Sequence, residues 1–177
     1  MIIADIALAL LLYMLLKPVN TSLSMLAAFF RLIQAAVLGA NLLNLFFVVR
    51  LLGAAGHPAG FTTDQLNTLI LLFLDMHSIG YAVGLVFFGM SLIILGYLVF
   101  RSGYLPKTLG VLLLGASAGY LADSFAHVLL TNYDAYESLF SLIVFTPAFI
   151  AELSLCLWLL IKGVNLEQWQ NRAAASA

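Results

Sequence analysis

The stretch from Thr62 to Arg101 most limits what this chain can fold into. It runs for 40 residues without a proline or a group of turn-forming residues, and the first such group is Ser102-Gly103. A continuous helix of this length measures about 60 Å, whereas the hydrocarbon core of a bilayer is about 30 Å thick. Because most of its side chains are apolar, the stretch predicts a helix that crosses a membrane and projects beyond it at the N-terminal end.

Composition supports a membrane protein. Hydrophobic residues make up 64% of the chain and charged residues 8%, whereas soluble domains carry about 25% charged residues. A soluble domain of 177 residues cannot hide this many apolar side chains. The predicted partner is therefore the lipid bilayer, and no basic tract suggests a nucleic acid. The single cysteine, Cys156, excludes an intrachain disulfide.

Turn-forming residues divide the chain into five predicted membrane helices, which form an all-α, polytopic transmembrane helical bundle over residues 1–163. Pro18 ends the first helix, a Gly- and Pro-containing linker at 53–60 ends the second, and Gly103 to Pro106 separates the third from the fourth. The predicted ranges are α1 2–16, α2 20–52, α3 62–101, α4 106–130 and α5 134–162, followed by a polar, frayed tail at 164–177.

Helix α1 is short for a membrane span, because a full span needs about 20 apolar residues. Residues 1–16 have no basic region and no small-residue cleavage site, so they are interpreted as a retained helix and not as a signal peptide. The short α1 is expected to be trimmed at its start or to lack an upstream helix. A second copy of the chain or a missing N-terminal helix is therefore a candidate partner.

Basic residues orient the predicted bundle. Lys17, Arg101, Lys107, Lys162 and Arg172 all fall on one side of a five-helix threading. By the positive-inside rule, this side is cytoplasmic. The sequence thus predicts a multi-pass protein of a bacterial cytoplasmic (inner) membrane with its C-terminus in the cytoplasm.

An outer layer of polar side chains is the first candidate site. Tyr120, Asp123 and His127 share one face of α4, and an Asp and a His inside an apolar helix are costly enough to suggest function. Helical rise places side chains of α2 and α3 at comparable heights. The predicted site comprises His77, Asp123, His127, Asn41, Asn44, Tyr81 and Tyr120. We expect it to open toward the outer face.

Three interpretations of this layer stay open. The i, i+4 spacing of Asp123 and His127 allows both to bind a divalent metal such as zinc, with His77 as third ligand. A metal-activated water there would hydrolyse a lipid-like or small amphipathic substrate. A haem between His77 and His127 is a second interpretation. In the third, the polar residues are not catalytic and specify helix packing or partner binding.

Four glycines are predicted to bring α3 and α4 close together. Gly80 and Gly84 on α3, with Gly115 and Gly119 on α4, are expected to form the seam between these two helices, which would turn His77 toward Asp123.

Arg31 on α2 and Glu152 on α5 form the inner layer. They come out at heights of about 16 and 15 Å above the cytoplasmic ends of their helices. Opposite charges at equal depth predict an ion pair between Arg31 and Glu152.

Sequence strings along nearly the whole chain resemble a known family. They are K-P-V-N at Lys17, F-R at Phe30, N-L-L-N at Asn41, L-D-M-H-S-I-G-Y-A-V-G-L-V-F-F-G from Leu74, G-Y-L-V-F-R-S-G-Y-L-P from Gly96, D-S-F-A-H from Asp123 and E-L-S-L-C-L-W-L-L-I-K-G from Glu152. As a set they look like the bacterial membrane-protein family catalogued as domain of unknown function 4386. The resemblance implies a helical bundle and no particular chemistry. Family members usually carry one more membrane helix before the segment corresponding to α1.

Overall fold

The computed structural model describes residues 2–53, 60–130, 132–133 and 136–175, and the regular secondary structure of these residues is helical. The helices are α1 Ile2–Leu16, α2 Thr21–Gly53, α3 Thr63–Ser102, α4 Lys107–Leu129, α5 Glu137–Ile161 and α6 Leu166–Ala175. The all-α helical bundle is therefore confirmed, and each of the first four helices lies within one residue of its predicted bounds.

Most of the predicted 53–60 linker, the predicted start of α5 at residue 134 and the last two residues of the tail lie outside the described residues. The rest of the tail differs from the predicted frayed segment, because Leu166–Ala175 is helical. The polar composition of the tail suggested fraying, but one of its faces carries Trp169, which packs against the core.

Local sequence explains where the long helices begin and end. At the start of α3, the Thr62 side chain accepts a hydrogen bond from the Gln65 backbone N–H, and the Gln65 side chain accepts one from Thr62 N–H. This capping box satisfies two donors that a helix start leaves unpaired. At the other end, Gly103 has a φ of 80°, in the left-handed region that glycine adopts without steric cost.

Helix α3 lies at the centre of the bundle. It packs against α2 on one side and α4 on the other, while α1 packs mainly on α2 and α5 packs on α4. Buried hydroxyls reinforce these contacts: Ser91 donates to the Ala27 carbonyl at 2.9 Å, and Ser24 donates to the Tyr13 carbonyl at 3.0 Å. Hydrogen bonds between helices are a main source of cohesion where lipid removes the hydrophobic contrast.

The α3–α4 seam is built from glycines other than the predicted ones. A Cβ added at Gly110 would lie 2.7 Å from the Gly96 carbonyl oxygen, so the two backbones are in direct contact. By contrast, Gly80 and Gly84 face Asn41 and Leu38 of α2, and Gly115 faces open space. The expected seam was therefore wrong, because the same G-x-x-x-G spacing fits any close helix neighbour and does not identify which one.

The helices identify a multi-pass membrane protein. Among the described residues, four helices are long and apolar enough to cross a membrane, namely α2, α3, α4 and the 142–161 part of α5, and α1 is a shorter apolar helix. Large apolar side chains point outward along them, such as Leu71 with 66% and Leu160 with 76% of its surface exposed. An outer surface of this kind is suited to lipid and not to water.

Helix α6 is tied to the end of the bundle where α1 finishes. The Trp169 Nε1–H and the Tyr104 hydroxyl both donate to the Leu15 carbonyl, at 2.9 and 2.6 Å. Arg172 donates to the Ser102 carbonyl at 3.2 Å. Burial raises the pKa of Tyr104 to about 12, and the Arg172 positive charge opposes part of this rise. Tyr104 therefore keeps its proton and remains a donor at physiological pH.

Candidate functional site

The main candidate site is a cavity of about 740 Å³ among the five apolar helices. Its walls are mostly leucine and phenylalanine side chains, and it contains three polar lining residues, Arg31, Tyr120 and Glu152. The apolar walls come from α1, α3, α4 and α5, including Leu8, Leu11, Leu12, Phe88, Leu92, Leu95, Leu113, Phe149, Leu153, Leu155, Leu159 and Leu160. An apolar cavity with few convergent polar groups is typical of a small-molecule site.

The cavity opens sideways between α1 and α5. Several lining residues on these two helices are also exposed at the protein surface, with 61% exposure for Leu11, 67% for Phe149 and 76% for Leu160. Lining residues on α3 and α4 are buried, as for Leu92 at 3% and Leu113 at 1%. The floor of the cavity is therefore inside the bundle, and its mouth faces the side that lipid covers.

Arg31 forms an ion pair on one wall. Its Nη2 lies 3.0 Å from Asp5 Oδ1 of α1, and the two side chains are 9% and 13% exposed. The guanidinium carbon also lies 5.0 Å from the centre of the Phe88 ring, a cation–π distance. The Nε–H of Arg31 is buried without a hydrogen-bond acceptor in the described part of the chain.

The predicted pairing of Arg31 with Glu152 is not what the structure contains. Glu152 Oε1 accepts a hydrogen bond from the Tyr120 hydroxyl at 2.8 Å, and the Arg31 salt bridge goes to Asp5. Both residues still line the same cavity, Arg31 from α2 and Glu152 from α5. The reason for the different pairing is that α1 packs on α2 and places a carboxylate beside Arg31, whereas α5 packs on α4.

Phe88 lies between Arg31 and Tyr120. Its ring contacts Arg31 on one side and meets Tyr120 edge-on, with centroids 5.1 Å apart, on the other. Thus Arg31, Tyr120 and Glu152 are grouped at one level of the cavity. The rest of the walls is apolar.

Of the outer layer, His77 and the two asparagines form a link between α2 and α3. Asn41 Nδ2 donates to the His77 carbonyl at 2.9 Å, His77 Nδ1 lies 3.3 Å from the Asn41 carbonyl oxygen, and Asn44 Nδ2 donates to Asn41 Oδ1 at 2.9 Å. His77, Asn41 and Tyr81 also line a smaller cavity of about 270 Å³. The two bonds between Asn41 and His77 join α2 to α3 and hold the helices in register, while the bond from Asn44 lies within α2.

Asp123 and His127 belong to a separate group around Tyr133. The Tyr133 hydroxyl donates to Asp123 Oδ1 at 2.7 Å, and its ring packs edge-on against His127 with centroids 4.4 Å apart. His127 Nε2 lies 3.2 Å from Ser78 Oγ. Helix α4 therefore meets α3 at Ser78, one residue after His77.

The outer residues are not arranged as the predicted metal site. No group of three or more His, Cys, Asp or Glu side chains in the described residues is placed to hold a metal ion. His77 faces α2 and His127 faces Ser78, so the expected convergence of His77, Asp123 and His127 does not occur. The bis-His haem arrangement lacks the same convergence. The physical reason is that Gly80 and Gly84 draw this face of α3 against α2 and not against α4.

Two residues of these sites, Asp5 and Tyr133, were not predicted from the sequence. Asp5 is an acidic residue inside an apolar helix, the same signal that singled out Asp123. Its depth also matches that of Arg31, because the two residues lie about 16 and 15 Å from the turn that joins α1 and α2. Tyr133 lies between α4 and α5, and no spacing rule connects it to His127.

The chain is similar to proteins without a described activity. A family model described as a domain of unknown function (DUF4386) matches residues 1–163. A protein of Archaeoglobus fulgidus, named only as an uncharacterized protein, is 32% identical over 167 residues, covering 94% of this chain and 82% of the relative. No solved structure matches the chain. Because this relative is archaeal, the bacterial origin expected from the sequence stays a prediction.

Proposed function

We propose that this chain, which belongs to the family described as domain of unknown function (DUF4386), binds a small amphipathic molecule that enters from the bilayer. The observation that carries the proposal is the cavity of about 740 Å³ with its mouth between α1 and α5. Its volume lies within the range of about 300 to 1,000 Å³ found for ligand pockets.

The chemistry of the walls supports an amphipathic ligand. Polar groups lie at one level of the cavity, around Phe88, and would contact a polar head. Below that level, α3 and α5 run toward the α6 end with apolar lining residues, including Leu95 and Leu159. From Glu152 to Leu159 the helical rise is about 10 Å, long enough for a short alkyl chain. An opening between α1 and α5, toward the lipid, suits a ligand that dissolves in the bilayer.

A neutral photoreactive probe tests this proposal. We expect a diazirine-bearing medium-chain alcohol to label the purified protein in lipid nanodiscs at buried cavity residues such as Leu92 and Leu113, and an excess of plain alcohol to suppress the labelling. Mass spectrometry of the adducts is the measurement. Labelling that is spread over outward-facing residues such as Phe29 and Val111, and that does not saturate, would contradict the proposal.

A cavity-filling variant sharpens the same experiment. Ala148 lines the cavity and is 2% exposed, so Ala148→Phe places a ring inside it. Ile150 lies on the same helix and is 48% exposed outside the cavity, which makes Ile150→Phe the matched control. We expect saturable labelling to fall in Ala148→Phe and to persist in Ile150→Phe at equal thermal stability.

The outer polar residues have a second proposed role. The two bonds that Asn41 and His77 exchange between α2 and α3 favour helix packing as their function. Asp123 is also hydrogen-bonded within the protein, to Tyr133, which lies after the end of α4. This non-catalytic role accompanies ligand binding in the inner cavity and does not compete with it.

The orientation is also a proposal: the α3–α4 turn and α6 face the cytoplasm, as the basic residues predict. Single cysteines at Thr108 and Asn132, in a Cys156→Ala background, report on the two ends of α4. We expect a membrane-impermeant maleimide to label Asn132→Cys on intact cells and Thr108→Cys only after permeabilisation. The reverse pattern would place the C-terminus outside.

A further inference from the structure

Charge in the cavity is unbalanced. Arg31 and Asp5 neutralise each other at 3.0 Å. Glu152 has no cationic partner of its own in the described residues, and its one hydrogen bond comes from the neutral hydroxyl of Tyr120. One arginine and two carboxyl side chains therefore give the cavity an excess of one acidic group beside apolar walls.

A carboxylate in such surroundings favours a cationic partner. Removing an ionised carboxylate from water is costly unless a positive charge or several hydrogen bonds replace the solvent. The Tyr120 hydroxyl supplies one such bond, to Oε1. A protonated amine would supply both a positive charge and N–H donors, and bonds of this charge-assisted kind are stronger than neutral ones.

We infer that the ligand of this cavity carries a cationic amine head that binds Glu152, a step that rests on the proposed function and names its substrate class. The amine head lies at the level of Phe88 and Tyr120, and the alkyl part lies against Leu95, Leu155 and Leu159. Asp5 compensates much of the Arg31 charge and the guanidinium is held over the Phe88 ring, so Arg31 opposes such a head less than an unpaired arginine would. The ligand class is therefore a lipophilic amine that partitions into the bilayer.

Three probes that share the same alkyl chain and differ only in the head group test which head the cavity prefers. They are diazirine-bearing medium-chain alkyl compounds that end in a primary amine, an alcohol or a sulfonate. We expect the amine to label the cavity of the wild-type protein with about tenfold or more higher affinity than the alcohol, because a hydrogen bond to a charged group adds about that factor. We expect the sulfonate to bind most weakly.

The matched variants are Glu152→Gln and Glu167→Gln. Both make the same change, but Glu152 lines the cavity and Glu167 is exposed on α6. We expect Glu152→Gln to remove the preference for the amine over the alcohol, because the amide carries no negative charge. Glu167→Gln is expected to leave all three affinities unchanged.

The outcomes distinguish this inference from the proposed function. If the alcohol labels the cavity saturably but the amine binds no tighter, or if the sulfonate binds tightest, the cationic head is wrong and the cavity still binds amphipathic molecules. If none of the three probes labels saturably, both proposals fail. Comparing the three probes on the wild-type protein tests the cationic head even if Glu152→Gln does not fold.

Discussion

Asp5→Asn is expected to destabilise the folded protein by about 3 to 5 kcal/mol. The reason is that it leaves the Arg31 guanidinium, 9% exposed, without the carboxylate at 3.0 Å that neutralises it. Removing one partner of a buried ion pair has this cost because the remaining charge is uncompensated. Reversible unfolding in mixed detergent micelles, followed by circular dichroism, measures the change.

A double-mutant cycle identifies the partner of Arg31. We expect Asp5→Asn combined with Arg31→Gln to cost much less than the sum of the single variants, since no charge is then left unpaired. Glu152→Gln combined with Arg31→Gln is the comparison pair, and its coupling should be the smaller of the two because these residues share no salt bridge. Larger coupling in the comparison pair than in the Asp5 pair would restore the ion pair expected from the sequence.

The helices were predictable because their signals are local. Apolar length, Pro18 and the capping residues at Thr62 each act within a few residues of the chain, and the observed bounds of α1 to α4 lie within one residue of the predicted ones. Helix α6 was missed for a different reason. Its stability depends on tertiary contacts of Trp169 and Arg172 with Leu15 and Ser102, which are distant in sequence.

The candidate sites were less predictable, because they depend on which helix faces which. Depth alone placed Arg31 and Glu152 on one level, and the structure has both lining one cavity. Depth does not give the rotation of a helix about its axis. That rotation decides whether His77 meets Asn41 or Asp123, and it is set by contacts such as Gly80 against Asn41 that periodicity does not reveal.

The cavity itself has no sequence signature. Its lining residues are ordinary apolar residues of membrane helices, and leucine facing a cavity is the same in sequence as leucine facing lipid. What makes the cavity is an arrangement in which α1 packs on α2, α5 packs on α4, and their side chains leave space over α3. Only the polar residues at its edge, Arg31, Tyr120 and Glu152, stand out against the apolar background.

Backbone contact at the α3–α4 seam gives the second large effect. At Gly110 an added Cβ would lie 2.7 Å from the Gly96 carbonyl oxygen and 2.7 Å from the Phe100 backbone nitrogen. These atoms belong to the backbone and have no side-chain torsion that would let them move aside. A methyl group therefore forces α3 and α4 apart along the contact that holds the centre of the bundle together.

We accordingly expect Gly110→Ala to destabilise the protein by about 1 to 3 kcal/mol, the usual cost of overpacking. Gly115→Ala is the matched control on the same helix, because nothing lies within 4 Å of its added Cβ. Alanine also has the higher helix propensity, so the control should be neutral or stabilising by up to about 1 kcal/mol. The same detergent unfolding assay measures both variants. The two changes are chemically identical. If the free energy of unfolding falls in Gly110→Ala and rises in Gly115→Ala, the loss comes from helix contact and not from helix propensity. Equal effects would mean that α3 and α4 do not meet at Gly110.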